Sequence, residues 1–279
     1  MSSFKFLVLI LVAGNVLAES DGFLIGGGIE SDSEDGIRGS LIGGFGISER
    51  TWLSGGLSMS SFELPTGQDI DTFYADVELD HWFDPVGVRV GVAYWGDSDI
   101  LDSFDWRGSL YWRGGKITLS GEYEFREFDF TIPESDVFPG REIMFDADGF
   151  GAMVKFQLSE NASLRVAGMK YDYSVDFQPT ENRDVISLIS VSRLGLINSL
   201  IDDKASLVFA IDRGVKRWEI DVTTWRGVVD QSRTKSLTVR YLMPTSGKTD
   251  IEFGLGYDDS ELYGDVTFFS VFLYFYGGG

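Results

Sequence analysis

His81 is the single histidine of a 279-residue chain that has no cysteine. It is the one side chain whose ordinary pKa suits a general base near neutral pH. It sits in Asp80-His81-Trp82, just before Asp84-Pro85. Geometry precedes identity for a general base, so an interfacial histidine is the simpler reading. Glu122 and Glu124 could mimic a carboxylate pair for acid–base work. Residues two apart on a strand share a face, however, and such pairs are ordinary on a polar wall. Asp32, Glu34, Asp35, Asp97, Asp99, Asp102, Glu134 and Asp136 offer the oxygen ligands that Ca²⁺ and Mg²⁺ take. Their spacing matches no EF-hand loop. Solvated acidic loops are the simpler account, and weak divalent-cation binding is the other. The lack of cysteine excludes a disulfide framework, an iron–sulfur cluster and a thiol nucleophile. No catalytic residue, cofactor or metal site is assigned.

The charges follow a pattern that becomes clear in the stretch from Phe104 to Ile132. Phe104, Trp106, Leu110 and Trp112 share one parity, while Asp105, Arg107, Ser109, Tyr111 and Arg113 share the other. After Gly114-Gly115, Ile117, Leu119, Tyr123 and Phe125 face one way. Lys116, Thr118, Ser120, Glu122, Glu124 and Arg126 face the opposite way. Strand side chains alternate faces, so this is an antiparallel hairpin with one apolar and one charged face. The alternation recurs along the chain, in Trp52 to Phe62, Asp71 to Trp82, Val86 to Trp95, Phe150 to Leu158, Trp218 to Trp225 and Val266 to Tyr276. Asp184 to Asp202 is ambiguous between a strand and a short helix, because its apolar residues fit both periods. Fourteen segments are counted without it and fifteen with it.

The first eighteen residues have the form of a secretory signal. Lys5 precedes the apolar run Phe6 to Ala13, and Val16-Leu17-Ala18 places small or apolar residues before Glu19. The run is shorter than the ~20 residues that span a bilayer as a helix. Beyond it no apolar run approaches that length, so any membrane crossing must be made by strands. The formal charge of −21 argues against nucleic acid, whose phosphates need clustered Lys and Arg.

Alternation alone also suits a secreted soluble sandwich, which remains the other reading. Three features favour a membrane barrel. Short connections, such as Ser48–Arg50, Gly114-Gly115 and Asp212–Gly214, alternate with longer, mostly acidic ones. Aromatic residues gather near strand ends, with Trp52, Trp82, Trp112 and Trp218 by tight turns and Tyr94, Trp95, Phe128 and Tyr171 toward the longer loops. Finally, whole strands carry charges on one face, as in Arg217, Glu219 and Asp221, which a dry core would not accept. Strict parity puts Trp52 and Trp82 on the polar side, against the belt assignment. The fold expected is an all-β, antiparallel up-and-down transmembrane barrel over residues 19–279. Even strand counts set the number at about fourteen, with twelve to sixteen as the range.

The signal sequence, evenly paced strands, acidic loops and aromatic last strand resemble Gram-negative outer-membrane β-barrel proteins, with no single named family matched. Phe268, Phe272, Tyr274 and Tyr276 resemble the assembly signal of that class, although three glycines follow where the class ends on an aromatic residue. The resemblance implies the outer membrane as location. It implies lipid, lipopolysaccharide and the outer-membrane assembly machinery as partners. Divalent cations at the acidic loops are a further expectation. The leading functional expectation is a porin-like passive pore, cation-preferring because acids are in excess. Its lining is expected to include Arg89, Arg107, Lys116, Glu122, Glu124, Lys155, Glu219 and Asp221. The alternatives are a non-conducting structural or surface-binding barrel and an outer-membrane enzyme, for which His81 would be the candidate base.

Overall fold

Fourteen strands follow one another in a computed structural model that describes residues 22–63, 69–97, 101–132, 141–175, 200–228, 231–261 and 264–277. The strands are β1 (Phe23–Asp32), β2 (Ile37–Ser48), β3 (Thr51–Glu63), β4 (Asp69–Trp82), β5 (Val86–Asp97), β6 (Leu101–Gly114) and β7 (Ile117–Ile132). They continue as β8 (Arg141–Ser159), β9 (Ala162–Tyr173), β10 (Ile201–Arg213), β11 (Lys216–Gly227), β12 (Arg233–Ser246), β13 (Thr249–Ser260) and β14 (Gly264–Gly277). Each pairs antiparallel with its sequence neighbour, and β14 pairs with β1 to close the barrel. Closure leaves no edge, the condition for strands to sit in lipid.

The connections differ at the two ends. The turns after β2, β6, β8, β10 and β12 are two residues long, and that after β4 is three. The opposite end carries all the longer ones. Glycine is needed where the tight turns require a left-handed backbone, at Gly115 (φ 55°) and Gly214 (φ 64°).

Cross-strand register carries one parity unbroken around the ring. Gly26, Ser40, Ser58, Tyr74, Arg107, Glu124, Tyr171, Lys204, Thr223, Thr238, Gly256 and Ser270 belong to it, and they mark the inner face. Side chains converge on a concave face, and they do so here: Arg107 of β6 reaches Tyr74 of β4 at 3.0 Å, past the whole of β5. The other parity is apolar and exposed, with Ile29, Leu41, Val77, Leu110, Phe150, Leu207 and Leu255 as examples. A water-soluble surface would not show such a band on every side, whereas a barrel in lipid must.

The apolar band ends at a common height toward the longer connections. There Asp71, Asp102, Glu127, Asp148, Lys170, Asp203, Lys235, Asp259 and Asp265 occupy outward positions. Two interfacial tyrosines donate to this collar, Tyr94 to Asp102 at 2.8 Å and Tyr123 to Asp148.

The structure departs from the sequence expectations at two points and fixes a third that the sequence leaves open. Trp52 and Trp82 do not join the lipid belt, since both lie on the inner parity. Trp52 pairs with Gly46 and Asp80, and Trp82 sits beneath the Arg113 guanidinium at 5.9 Å. Trp112 and Trp218 do face outward, where they are 42% and 43% exposed. Second, Phe268, Phe272, Tyr274 and Tyr276 face inward, and β14 shows Phe269, Val271, Leu273 and Phe275 to lipid instead. Third, β8 and β10 extend well beyond Phe150 to Leu158 and Ser206 to Ile211, the segments that alternation marks as strands. Of the ambiguous stretch, 201–202 open β10, residue 200 precedes it, and 184–199 lie outside the described residues, as do the signal segment, Asp99, Glu134 and Asp136.

Candidate functional site

The inner wall is built as a set of charge ladders, each fixed by strand register. Asp105 and Arg107 of β6 stand directly opposite Arg126 and Glu124 of β7. Arg126 Nε lies 3.1 Å from Asp105 Oδ1 and 3.5 Å from Glu124 Oε1. Arg107 contacts the same two carboxylates at 3.1 and 3.6 Å. Tyr171 of β9 adds a hydrogen bond to Glu124 at 3.0 Å, passing over Gly149 of β8. A side chain at position 149 would prevent this, because a β-carbon there would lie 2.6 Å from the Tyr171 ring. Phe128 lies 4.8 Å from the Arg126 guanidinium and completes its enclosure. Arg126, Asp105 and Glu124 are 3%, 1% and 8% exposed. Two guanidiniums and two carboxylates in mutual contact neutralise one another, which is what makes such burial tolerable.

A second ladder lies on β4 and β5. Arg89 bridges Glu78 and Asp80, each at 3.0 Å, and Tyr111 donates to the other oxygen of Asp80. Asp76 continues the row. The third ladder spans β11 to β13. Arg240 lies 2.7 Å from Glu219 and 3.9 Å from Asp221, and Arg217 lies 3.3 Å from Glu219. Asp212 at 3.6 Å from Arg217 and Glu252 of β13, which faces Arg240, extend this third ladder, so that the second and third ladders each carry more carboxylates than guanidiniums. On the arc between them, Lys155 of β8 stands directly beside Arg165 of β9 and forms a small basic region.

Of the residues expected to line the pore, Arg89, Arg107, Glu122, Glu124, Lys155, Glu219 and Asp221 occupy inner positions by register. Lys116 lies in the two-residue turn between β6 and β7, at the rim. Sequence reasoning did not single out Asp76, Glu78, Asp80, Asp105, Arg126 or Arg240 as lining. Their parity was the available signal. His81 faces outward at the short-turn rim, where Nδ1 lies 2.7 Å from Thr51 Oγ1 and the ring packs edge-on against Phe83.

Near the longer connections the inner wall turns apolar. Trp95, Leu101, Phe128, Phe145 and Ala147 cluster there, with Phe128 and Phe145 stacked at 4.8 Å. Leu200, just before β10, is seated in the cluster, and Val228 packs on it from beyond β11. The two connections are tied by a hydrogen bond from Val228 N to Leu200 O at 3.0 Å. The mouth is thus narrowed from one side by chain that belongs to the rim.

Comparison with protein-family models and with curated proteins finds no match. Solved structures do match. The CymD monoaromatic hydrocarbon channel superposes with a TM-score of 0.60 at 10% identity, covering 97% of this chain and 92% of that one. OmpT, an outer membrane protein of Vibrio cholerae, gives a TM-score of 0.52 at 9% identity over 93% and 99% of the two chains. Its loop L8 deletion mutant gives 0.52 at 10% identity over 92% and 100%. At such identities the likeness is one of fold, and the fold is that of outer-membrane β-barrel channels.

Proposed function

We propose that this protein is a passive outer-membrane channel with a water-filled, cation-preferring lumen. One observation carries the reading: an inner face to which every strand contributes at least one polar or charged side chain, inside a barrel whose outer face carries an apolar band on every strand. Exposed charges such as Arg89, Arg217 and Arg240, which are only partly covered, are best accommodated beside water on the inside of the barrel. Eight-stranded barrels fill their interior with side chains, while sixteen-stranded ones hold an open channel. Fourteen strands with many Gly and Ser positions on the inner faces of β1 to β3 leave room for solute. The carboxylate excess on β4 and on β11 to β13 favours cations. Export by the first eighteen residues and insertion by the outer-membrane assembly machinery belong to this reading, with lipopolysaccharide and divalent cations meeting the acidic collar.

The test is single-channel conductance of the refolded barrel in a planar bilayer under a salt gradient. Stable current with a cation-favouring reversal potential is expected. The seating of Leu200 and Val228 over the mouth favours a second reading, a non-conducting surface barrel. A folded, heat-modifiable barrel that passes no current would establish that reading instead.

A further inference from the structure

We infer that Phe272 and Tyr274 form a contact platform for a neutral, hydroxylated ring solute of the carbohydrate class. The inference rests on the channel reading above. Both residues are on the inner face of β14, half-buried, with rings within 14° of parallel and centroids 6.2 Å apart. Each ring lies across a glycine of β1, Phe272 over Gly28 and Tyr274 over Gly26, where a β-carbon would come within 2.4 and 2.6 Å. The glycines draw the rings down onto the wall, so they line the lumen without crossing it.

Polar groups border the pair. Glu252 stands directly opposite Phe272 on β13 and accepts a hydrogen bond from the Tyr274 hydroxyl. Tyr276 donates to Asp250 at 3.0 Å. Arg240 provides the facing positive charge. A small hydrated ion does not need two near-parallel rings side by side, and a hydrocarbon would gain nothing from the carboxylates. A saturated ring with an apolar face and hydroxyl edges uses both, because stacking covers the face while charged acceptors and donors bind the edges.

The experiment uses the full-length refolded barrel in a planar bilayer with maltotriose, cellotriose and, separately, benzyl alcohol as probes of the potassium chloride current. At least one trisaccharide is expected to interrupt the current. Phe272→Ala and Tyr274→Ala should raise its half-blocking concentration about tenfold, the factor that ~1.4 kcal/mol of lost contact gives. Phe272→Trp should retain the block, and the current itself reports that each variant is folded. Current with no block by either trisaccharide, block by benzyl alcohol alone, or block unchanged in both alanine variants overturns the inference and leaves the channel reading standing. Absence of any current from the folded parent overturns both.

Discussion

The Arg126 guanidinium donates to Asp105 on the neighbouring strand, Nε to Oδ1 at 3.1 Å, with both side chains almost sealed from solvent. They meet on the inside of a barrel, where most charges remain wet. Enclosure by Tyr171 and Phe128 weakens solvent screening, so the two charges depend on each other.

Arg126→Met should therefore destabilise the barrel by about 3–5 kcal/mol, because it strands Asp105 and Glu124 in a dry pocket. Urea unfolding followed by tryptophan fluorescence measures this. Adding Asp105→Asn should recover part of the loss, and strict additivity of the two changes would show that the residues do not act as a pair.

Gly149→Ala should cost about 1–3 kcal/mol, since the new methyl displaces the Tyr171 ring and strains its bond to Glu124. Tyr171→Phe in the same background should change stability little further. A Gly149→Ala barrel as stable as the parent would show that the ring has another resting place.

Replacing Glu219 and Asp221 together by Gln and Asn should move the reversal potential toward anions, because two negative charges are removed and Arg217 and Arg240 keep only Asp212 and Glu252 as counter-charges. Arg89→Gln should move it the opposite way by freeing Glu78 and Asp80. Equal reversal potentials in parent and both variants would place the ion path elsewhere.

Leu200→Ser should loosen the apolar mouth and raise the mean conductance with added current noise. Single-channel recording decides it, and an unchanged conductance would show that the Leu200–Val228 contact stands clear of the path.

Parity made much of this legible before any coordinates. The hairpin from Phe104 to Ile132 appears as read, with Asp105, Arg107, Glu122 and Glu124 on one face and Trp106, Leu110 and Tyr123 on the other. Parity does not say which neighbour a residue meets, and that is where the reading stopped. The enclosure of Arg126 needs Asp105 from one side and Tyr171 from two strands away. These contacts depend on register and barrel curvature, which leave no mark in local sequence. Near the rims the pattern misled for a different reason. Trp52 and Trp82 suit an interface by residue type, but their parity takes them inside, where the Trp82 ring lies beneath the Arg113 guanidinium. The last strand shows the same conflict, because aromatic residues occur at both parities and sequence alone does not rank Phe272 against Leu273.

The β7–β8 hairpin joins the two longest strands, of 16 and 19 residues, and carries Glu127, Asp129, Glu142, Asp146 and Asp148 on its outward side above the apolar band. It is a tall, one-sided negative ridge. Its field reaches ~8 Å in physiological salt. On the channel reading proposed above, cationic molecules would be gathered on that flank before they find the opening, at a rate that falls as ionic strength rises. On that reading, approach to this barrel is directional even before anything enters it.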